Sequence, residues 1–510
     1  MFKLSYIVPI LLLAACSSTR RSVGTPTAFD EPYRPQVHFS PPQKWMNDPN
    51  GMVFHEGTYN LFYQYYPDST VWGPMHWGHA TTTDLVHWQH QPIALYPDSL
   101  GYIFSGSAVV DVKNTSGFGR NGKAPMVAVF THHDPKGESS GRHDYQNESL
   151  AYSLDDGRSW TKYAGNPVLR TPGINDFRDP KVMWYEPTQK WIMSLATHDR
   201  ISFYSSPDLK TWTPQSDFGS SDGAHGGVWE CPDLFPLRSG SEEIWVLLVS
   251  INPGGPNGGS ATQYFTGQFN GHEFIPFEDR VRWIDHGPDD YAGVTWSNTG
   301  TRKIFLGWMS NWLYGQQVPT GSWRSAMTVP RELSIVKVKD RYIVASKPVA
   351  ELKALEEKPS VWQNPKTNGW NGSNDPGILH GPARITISSD ALRSFALTLS
   401  NEAGEKVIVG YDRSKNEYYI DRSASGDVSF VKGFGARYTA PRTGTQSAAD
   451  LTLIVDRASV ELFADGGLTA MTAIFFPSRP YTRYALASSD GFSARTIEYA
   501  GLKSIYRGNK

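Results

Sequence analysis

Trp45-Met46-Asn47-Asp48-Pro49-Asn50-Gly51 is the stretch on which the reading of this chain turns. Pro presets φ, Asn and Asp bond their own backbone and Gly accepts positive φ, so Asn-Asp-Pro-Asn-Gly alone spells a turn. Its frame adds more. Trp-Met leads in and Met52-Val53-Phe54 leads out, which sets the Asp48 carboxylate among large apolar side chains, where a poorly solvated acid suits chemistry. The arrangement recurs at Arg178-Asp179-Pro180 and at Trp229-Glu230-Cys231-Pro232. In each case an acid stands just ahead of a Pro that opens a strand-like run, where a missing N–H is tolerated. Three carboxylates at equivalent places in repeated units can converge on one axis.

Working outward, five sheet-like units of short alternating runs follow one another from Asp48 to about residue 335. The first three close on Asp84-Leu85-Val86-His87-Trp88, Asp156-Gly157-Arg158-Ser159-Trp160 and Asp208-Leu209-Lys210-Thr211-Trp212. A repeat of about 40 to 60 residues built of short strands reads as propeller blades. The expected fold is all-β: a five-bladed β-propeller over residues 36–345, a linker over 346–376 and a β-sandwich over 377–510. A short amphipathic helix is expected at 349–357. The sandwich rests on strict alternation in Ala383-Arg384-Ile385-Thr386-Ile387 and Leu451-Thr452-Leu453-Ile454-Val455.

Composition narrows the classes. A net charge of −2 leaves no electrostatic footprint for nucleic acid. Of the two cysteines, Cys16 and Cys231, the first stands in Leu13-Ala14-Ala15-Cys16 after an apolar run too short for a bilayer core of about 30 Å. Residues 1–15 therefore read as an export signal. Leu-Ala-Ala-Cys resembles a bacterial lipobox, which implies lipidation at Cys16. Residues 16–35 would then be a tether to a membrane, on the periplasmic side or at the cell surface. With Cys16 so used, no internal disulfide is left to form. The His76/His79 and His132-His133-Asp134 groups resemble partial metal sites, but His76 and His79, three apart on a strand, face opposite ways and cannot chelate together, and no metal or other cofactor is expected.

An ordered series of motifs resembles glycoside hydrolase family 32, the β-fructosidases that include levanases, inulinases and invertases. The series is WMNDPNG at 45–51, FYQYYP at 62–67, WGPMHWGHA at 72–80, FSGS at 104–107, RDP at 178–180, EC at 230–231, GWMSNW at 307–312 and WRSAMTVPREL at 323–333. Single motifs of this kind are weak, but their order and spacing are specific. The family also carries a sandwich after a five-bladed propeller.

The resemblance implies that Asp48 is a nucleophile, Glu230 the general acid and base, and Asp179 a transition-state stabiliser kept ionised by Arg178. Burial beside Trp229 is expected to raise the pKa of Glu230. Asn47, Gln64, Trp72, Phe104, Ser105, Arg178, Trp308 and Trp323 would form a pocket for the terminal fructose. The implied activity is a retaining exo-β-fructosidase releasing fructose from levan, inulin or their oligosaccharides, with sucrose as a further substrate. Endo-action within the family and a non-catalytic lipid-tethered glycan binder are the alternatives. A sialidase is disfavoured because a single clear Asp-box is present, and an arabinanase because it would not carry WMNDPNG.

Overall fold

The computed structural model describes residues 29–365, 367, 370 and 381–506. The export signal, Cys16 and the start of the tether lie outside the described residues. Five sheets follow in chain order, each built on a path of four antiparallel strands and four of them carrying a short fifth, and the fold is the expected five-bladed propeller with a sandwich after it. Blade one is Lys44–His55, Thr58–Tyr66, His76–Thr82 and Gln89–Leu95. Blade two begins at Tyr102–Val110, blade three at Phe177–Tyr185, blade four at Val228–Ser239 and blade five at Tyr291–Thr295. The ring closes where Trp323 and Arg324 pair in parallel with Lys44 and Trp45.

Buried middle strands explain why these units were readable. Met126–His133 is buried at every position, and Lys190–Thr197 at all but its first. A strand covered on both faces reads as an unbroken apolar run. The outermost strands did not announce themselves. The Asp-Leu-x-x-Trp segments do not close the blades; they form the turn before a fourth strand. Asp84 Oδ1 accepts from the amides of Val86 and His87 at 3.0 and 2.8 Å, while Leu85 adopts φ 63°. Asp208 and Leu209 repeat this geometry, and Asp155 takes the capping place in blade two. Gln89–Leu95 and Thr213–Phe218 then follow as half-exposed polar strands without a clean alternation.

Two boundaries differ from expectation. Tyr33-Arg34-Pro35 is packed against the propeller, with the Arg34 guanidinium 4.2 Å over the Trp323 ring, so the end of the tether belongs to the domain. Blade five extends through Arg341–Pro348, and Ser360–Gln363 is already the edge strand of a sandwich sheet. Between them Ala350–Leu355 is a 3₁₀ helix that buries Leu352 and Leu355.

The sandwich sheets hold six and five strands. Ala383–Ser389 and Phe395–Ser400 alternate buried and half-buried residues, with Ile385, Leu397 and Leu399 fully buried in a shared core. Propeller and sandwich meet across buried ion pairs. Arg331 of blade five contacts Asp285, Asp290 and the sandwich's Glu461; Arg422 of the sandwich contacts Asp289; His38 bridges Asp456 and Glu461 at 2.8 Å each. Such charges are tolerated in an interior only when each is paired and hydrogen-bonded.

Candidate active site

All five innermost strands slip register at one level. Pairing with the second strand breaks between Met46 and Pro49, Ile103 and Gly106, Arg178 and Lys181, Glu230 and Asp233, and Tyr291 and Val294. Each break leaves two residues unpaired, and such a bulge bends a strand and re-aims its side chains. The unpaired residues are Asn47-Asp48, Phe104-Ser105, Asp179-Pro180, Cys231-Pro232 and Ala292-Gly293. Pro fits a bulge because no ladder N–H is needed there. Asp179, Cys231 and Ala292 take φ of 66°, 46° and 53°, a left-handed conformation that non-glycine residues hold only when the surrounding fold imposes it.

The three acids therefore do not occupy equivalent places. Asp48 is the second bulge residue, Asp179 the first, and Glu230 the residue before its bulge. They converge nonetheless, because all three line one cavity of about 270 Å³ at the mouth of the propeller. Gly51 lies in a second slip of the strand that carries Asp48, between Asn50 and Val53. It adopts φ 56°, and a Cβ there would lie 2.6 Å from the Trp77 ring and 2.8 Å from that of Phe62.

Asp48 is held at both oxygens. Asn47 Nδ2 donates to Oδ1 at 2.9 Å and Ser105 Oγ donates to Oδ2 at 2.7 Å. Trp45 Nε1 donates to Asn47 Oδ1 at 2.7 Å, which sets the orientation of that amide. Burial, with the charge of Glu230 added, pushes the Asp48 carboxyl above the usual range, and these two hydrogen bonds oppose the rise.

Asp179 accepts from the Cys231 amide at 3.1 Å, and its own amide donates to Thr131 Oγ1 at 3.1 Å. Arg178 does not hold it as expected: their closest approach is 4.0 Å. The bulge turns Asp179 toward Cys231, while the Arg178 guanidinium reaches Glu230 Oε1 from Nε and Nη2 at 3.2 and 2.9 Å and Asp176 from Nη1 at 2.5 Å. Burial therefore dominates at Asp179. Its carboxyl is pushed up to about 7, with Arg178 opposing and the charges of Glu230 and Asp48 adding.

Glu230 accepts at Oε1 from Arg178 and at Oε2 from the Tyr291 hydroxyl. Trp229 is not its apolar wall. Successive strand residues face opposite ways, and the Trp229 ring lies fully buried in the core shared by blades three and four. Cys231 touches the site: its Sγ is 3.5 Å from Asp179 and 3.7 Å from Asp48. Burial pushes the thiol far above its ordinary pKa, so it stands as a neutral donor.

Of the expected pocket residues, Asn47, Gln64, Trp72, Phe104, Ser105 and Arg178 line the cavity. Gln64 Nε2 is buried with no protein partner, an unmet donor of the kind a ligand hydroxyl satisfies. Trp308 and Trp323, expected in the pocket, do not line the cavity. Trp308 is fully buried between Trp45, Tyr291 and Trp312, and Trp323 is buried under Arg34, so both are packing residues.

The sequence reading missed His133, Glu138, Gln146, Asp176, Trp312 and Gln316 in the lining, and Tyr291 behind Glu230. His133 stacks on Phe104 with centroids 4.2 Å apart, and burial lowers its pKa to about 4, so it is neutral. Tyr291 stands just before its bulge, as Arg178 and Glu230 do. That shared register is a signal that could have found it.

The glycosyl hydrolases family 32 N-terminal domain matches residues 38–348, and the family's C-terminal domain matches 351–503. A levanase of Bacillus subtilis is 44% identical over 492 residues, covering 94% of this chain and 72% of its own. An extracellular exo-inulinase of Aspergillus niger is 41% identical over 500 residues, covering 91% and 93%. The crystal structure of an exo-inulinase from Aspergillus awamori matches with TM-score 0.86 at 37% identity, over 94% of this chain and 100% of that one.

Proposed function

The chain belongs to glycoside hydrolase family 32, and from that premise we propose that it is a retaining exo-β-fructosidase that releases terminal fructose from levan or inulin. Sucrose is a further substrate under this reading, in line with the yeast invertases at 37% identity. The observation that carries it is the convergence of Asp48, Asp179 and Glu230 in a cavity of about 270 Å³, beside the unpartnered amide of Gln64. That volume lies just below the range of ligand pockets, which run from about 300 Å³ upward, and suits a chain end rather than an open run of polymer.

In the proposed reaction the Asp48 carboxylate attacks the anomeric carbon of the terminal fructosyl unit. The glycosidic C–O bond breaks, and its electron pair stays on the leaving oxygen, which takes the proton of Glu230. A fructosyl ester on Asp48 results. Glu230, now a carboxylate, takes a proton from water as the water oxygen attacks the same carbon, and Asp48 departs. The carboxylates of Asp48 and Asp176, with Asp179 beside them, set negative charge around the site, which favours an oxocarbenium-like transition state.

Export through residues 1–15 and lipid anchoring at Cys16 belong to this proposal and are supported by the sequence alone. Mass spectrometry of the N-terminus of wild type and Cys16→Ala tests them: a diacylglyceryl mass on the wild type only is the expected result.

The test of function is a product profile on levan, inulin and sucrose. Fructose alone from the earliest time points is expected. A ladder of oligosaccharides would overturn the exo reading, and binding without release would overturn the enzyme.

A further inference from the structure

We propose that Arg422, on the sandwich strand Glu417–Ala424, is a positioning residue for the hydrolytic site, holding in place two propeller segments that end in the cavity. The inference rests on the fructosidase reading above and gives the second domain a part in it.

Arg422 is fully buried, and each of its five N–H groups has an acceptor. Nε donates to Phe434 O at 2.8 Å, Nη1 to Asp289 Oδ2 at 2.7 Å and to Ile474 O at 2.9 Å, and Nη2 to the Tyr314 and Tyr438 hydroxyls at 3.0 and 2.9 Å. The Phe434 ring covers its guanidinium at 3.7 Å. A planar fork with every donor engaged has one orientation, and a lysine ammonium cannot reproduce it.

Two arms leave this fork. Through Asp289 it holds the segment that runs straight into blade five, where Tyr291, two residues on, donates its hydroxyl to Glu230 Oε2. Through Tyr314 it holds the loop after Met309. Trp312 and Gln316 flank Tyr314 on that loop, and both line the cavity. Gln316 Oε1 also accepts from the amide of Trp72, another cavity residue, at 3.3 Å.

The arms are tied together. Tyr314 Oη donates to Asp289 Oδ1 at 2.6 Å, and Asn311 Nδ2 donates to Pro288 O at 2.7 Å. A residue of the sandwich thus fixes the phenol behind the proposed acid and the part of the cavity rim that carries Trp312 and Gln316. Arg422, Asp289 and Tyr314 do not line the cavity themselves, so their effect is on the placement of residues that do.

The test compares the full-length wild type with Tyr314→Phe, Asp289→Asn and Arg422→Lys for melting temperature and for kcat and KM on an inulin-type oligosaccharide. Tyr314→Phe removes one hydroxyl and keeps the packing. It should melt close to wild type yet raise KM by about tenfold with kcat nearly unchanged, because the rim is displaced. Asp289→Asn loosens the other arm and should lower kcat by about tenfold with little change in KM. Arg422→Lys should combine both defects. Wild-type kinetics in every variant that stays folded, or activity that falls only with the folded fraction, would overturn the inference. A wild type that frees no fructose would overturn the underlying reading of function instead.

Discussion

Arg178 grips Glu230, one blade away, in preference to its chain neighbour Asp179: Nη2 lies 2.9 Å from Glu230 Oε1, while the nearest approach to Asp179 is 4.0 Å. The bulge between Arg178 and Lys181 is what separates two adjacent side chains into different tasks. One guanidinium thereby sits among Asp176, Asp179 and Glu230, and among the described residues that line the cavity it is the single fixed cation. Arg178→Gln should lower kcat/KM by about 10²- to 10³-fold. A cation favours ionised carboxyls, so its removal raises the pH at which Asp176 and Asp179 give up their protons. The acidic limb of the pH profile of kcat/KM is expected to move to higher pH.

Asp48→Ala and Glu230→Ala should each reduce turnover by about 10⁴-fold or more, and Asp179→Asn by several kcal/mol of transition-state stabilisation. All three variants should melt cooperatively near the wild-type temperature. A common loss of folding across the three would mark these acids as turn and packing residues.

Asp179 also makes stability depend on pH. Its folded pKa of about 7 lies above the ordinary 3.8, so the folded state binds a proton more readily than the unfolded one. Its stabilising contribution is complete below about pH 4 and is lost as pH rises through 7. Asp179→Asn should flatten the melting-temperature curve across this window, which differential scanning calorimetry between pH 4 and 8 would record.

Gln64 and Trp308 are expected to separate binding from packing. Gln64→Ala removes an unmet amide facing the cavity and should weaken kcat/KM by about 1 to 2 kcal/mol, roughly tenfold, with melting little changed. Trp308→Ala opens a fully buried site and should lose about 3 to 5 kcal/mol of stability. Chemical denaturation alongside steady-state kinetics distinguishes the two patterns.

His38 links the N-terminal segment to the sandwich through Asp456 and Glu461. These carboxylates, overcoming burial, raise its pKa to about 9. The stability it contributes is therefore full below about pH 6.5 and lost as pH rises through 9. Melting temperature should fall over that range in the wild type and more shallowly in His38→Gln.

Much of this molecule was readable because its signals are local. Continuous apolar runs marked the middle strands, and alternation in Ala383–Ser389 marked the sandwich. What was missed is polar or depends on register. Gln89–Leu95 packs too little to show a pattern, and Trp312 and Gln316 reach the cavity through a loop whose course is set by Asp289 and Arg422. Trp308 and Trp323 were misassigned because an indole reads alike in a core and in a sugar pocket.

By itself the sequence determined the class of fold, the blade count, and the identity of Asp48, Asp179 and Glu230 as the acids of one site, since turn chemistry, strand periodicity and motif order are properties of neighbouring residues. Only the tertiary structure decided which partner each acid meets. The slipped register in all five inner strands turns Asp179 toward Cys231, sends Arg178 to Glu230 and brings Tyr291 behind it. Those contacts cross between blades more than 50 residues apart in the chain, where direction is set by how bulged strands pack around an axis and leaves no trace in local spacing.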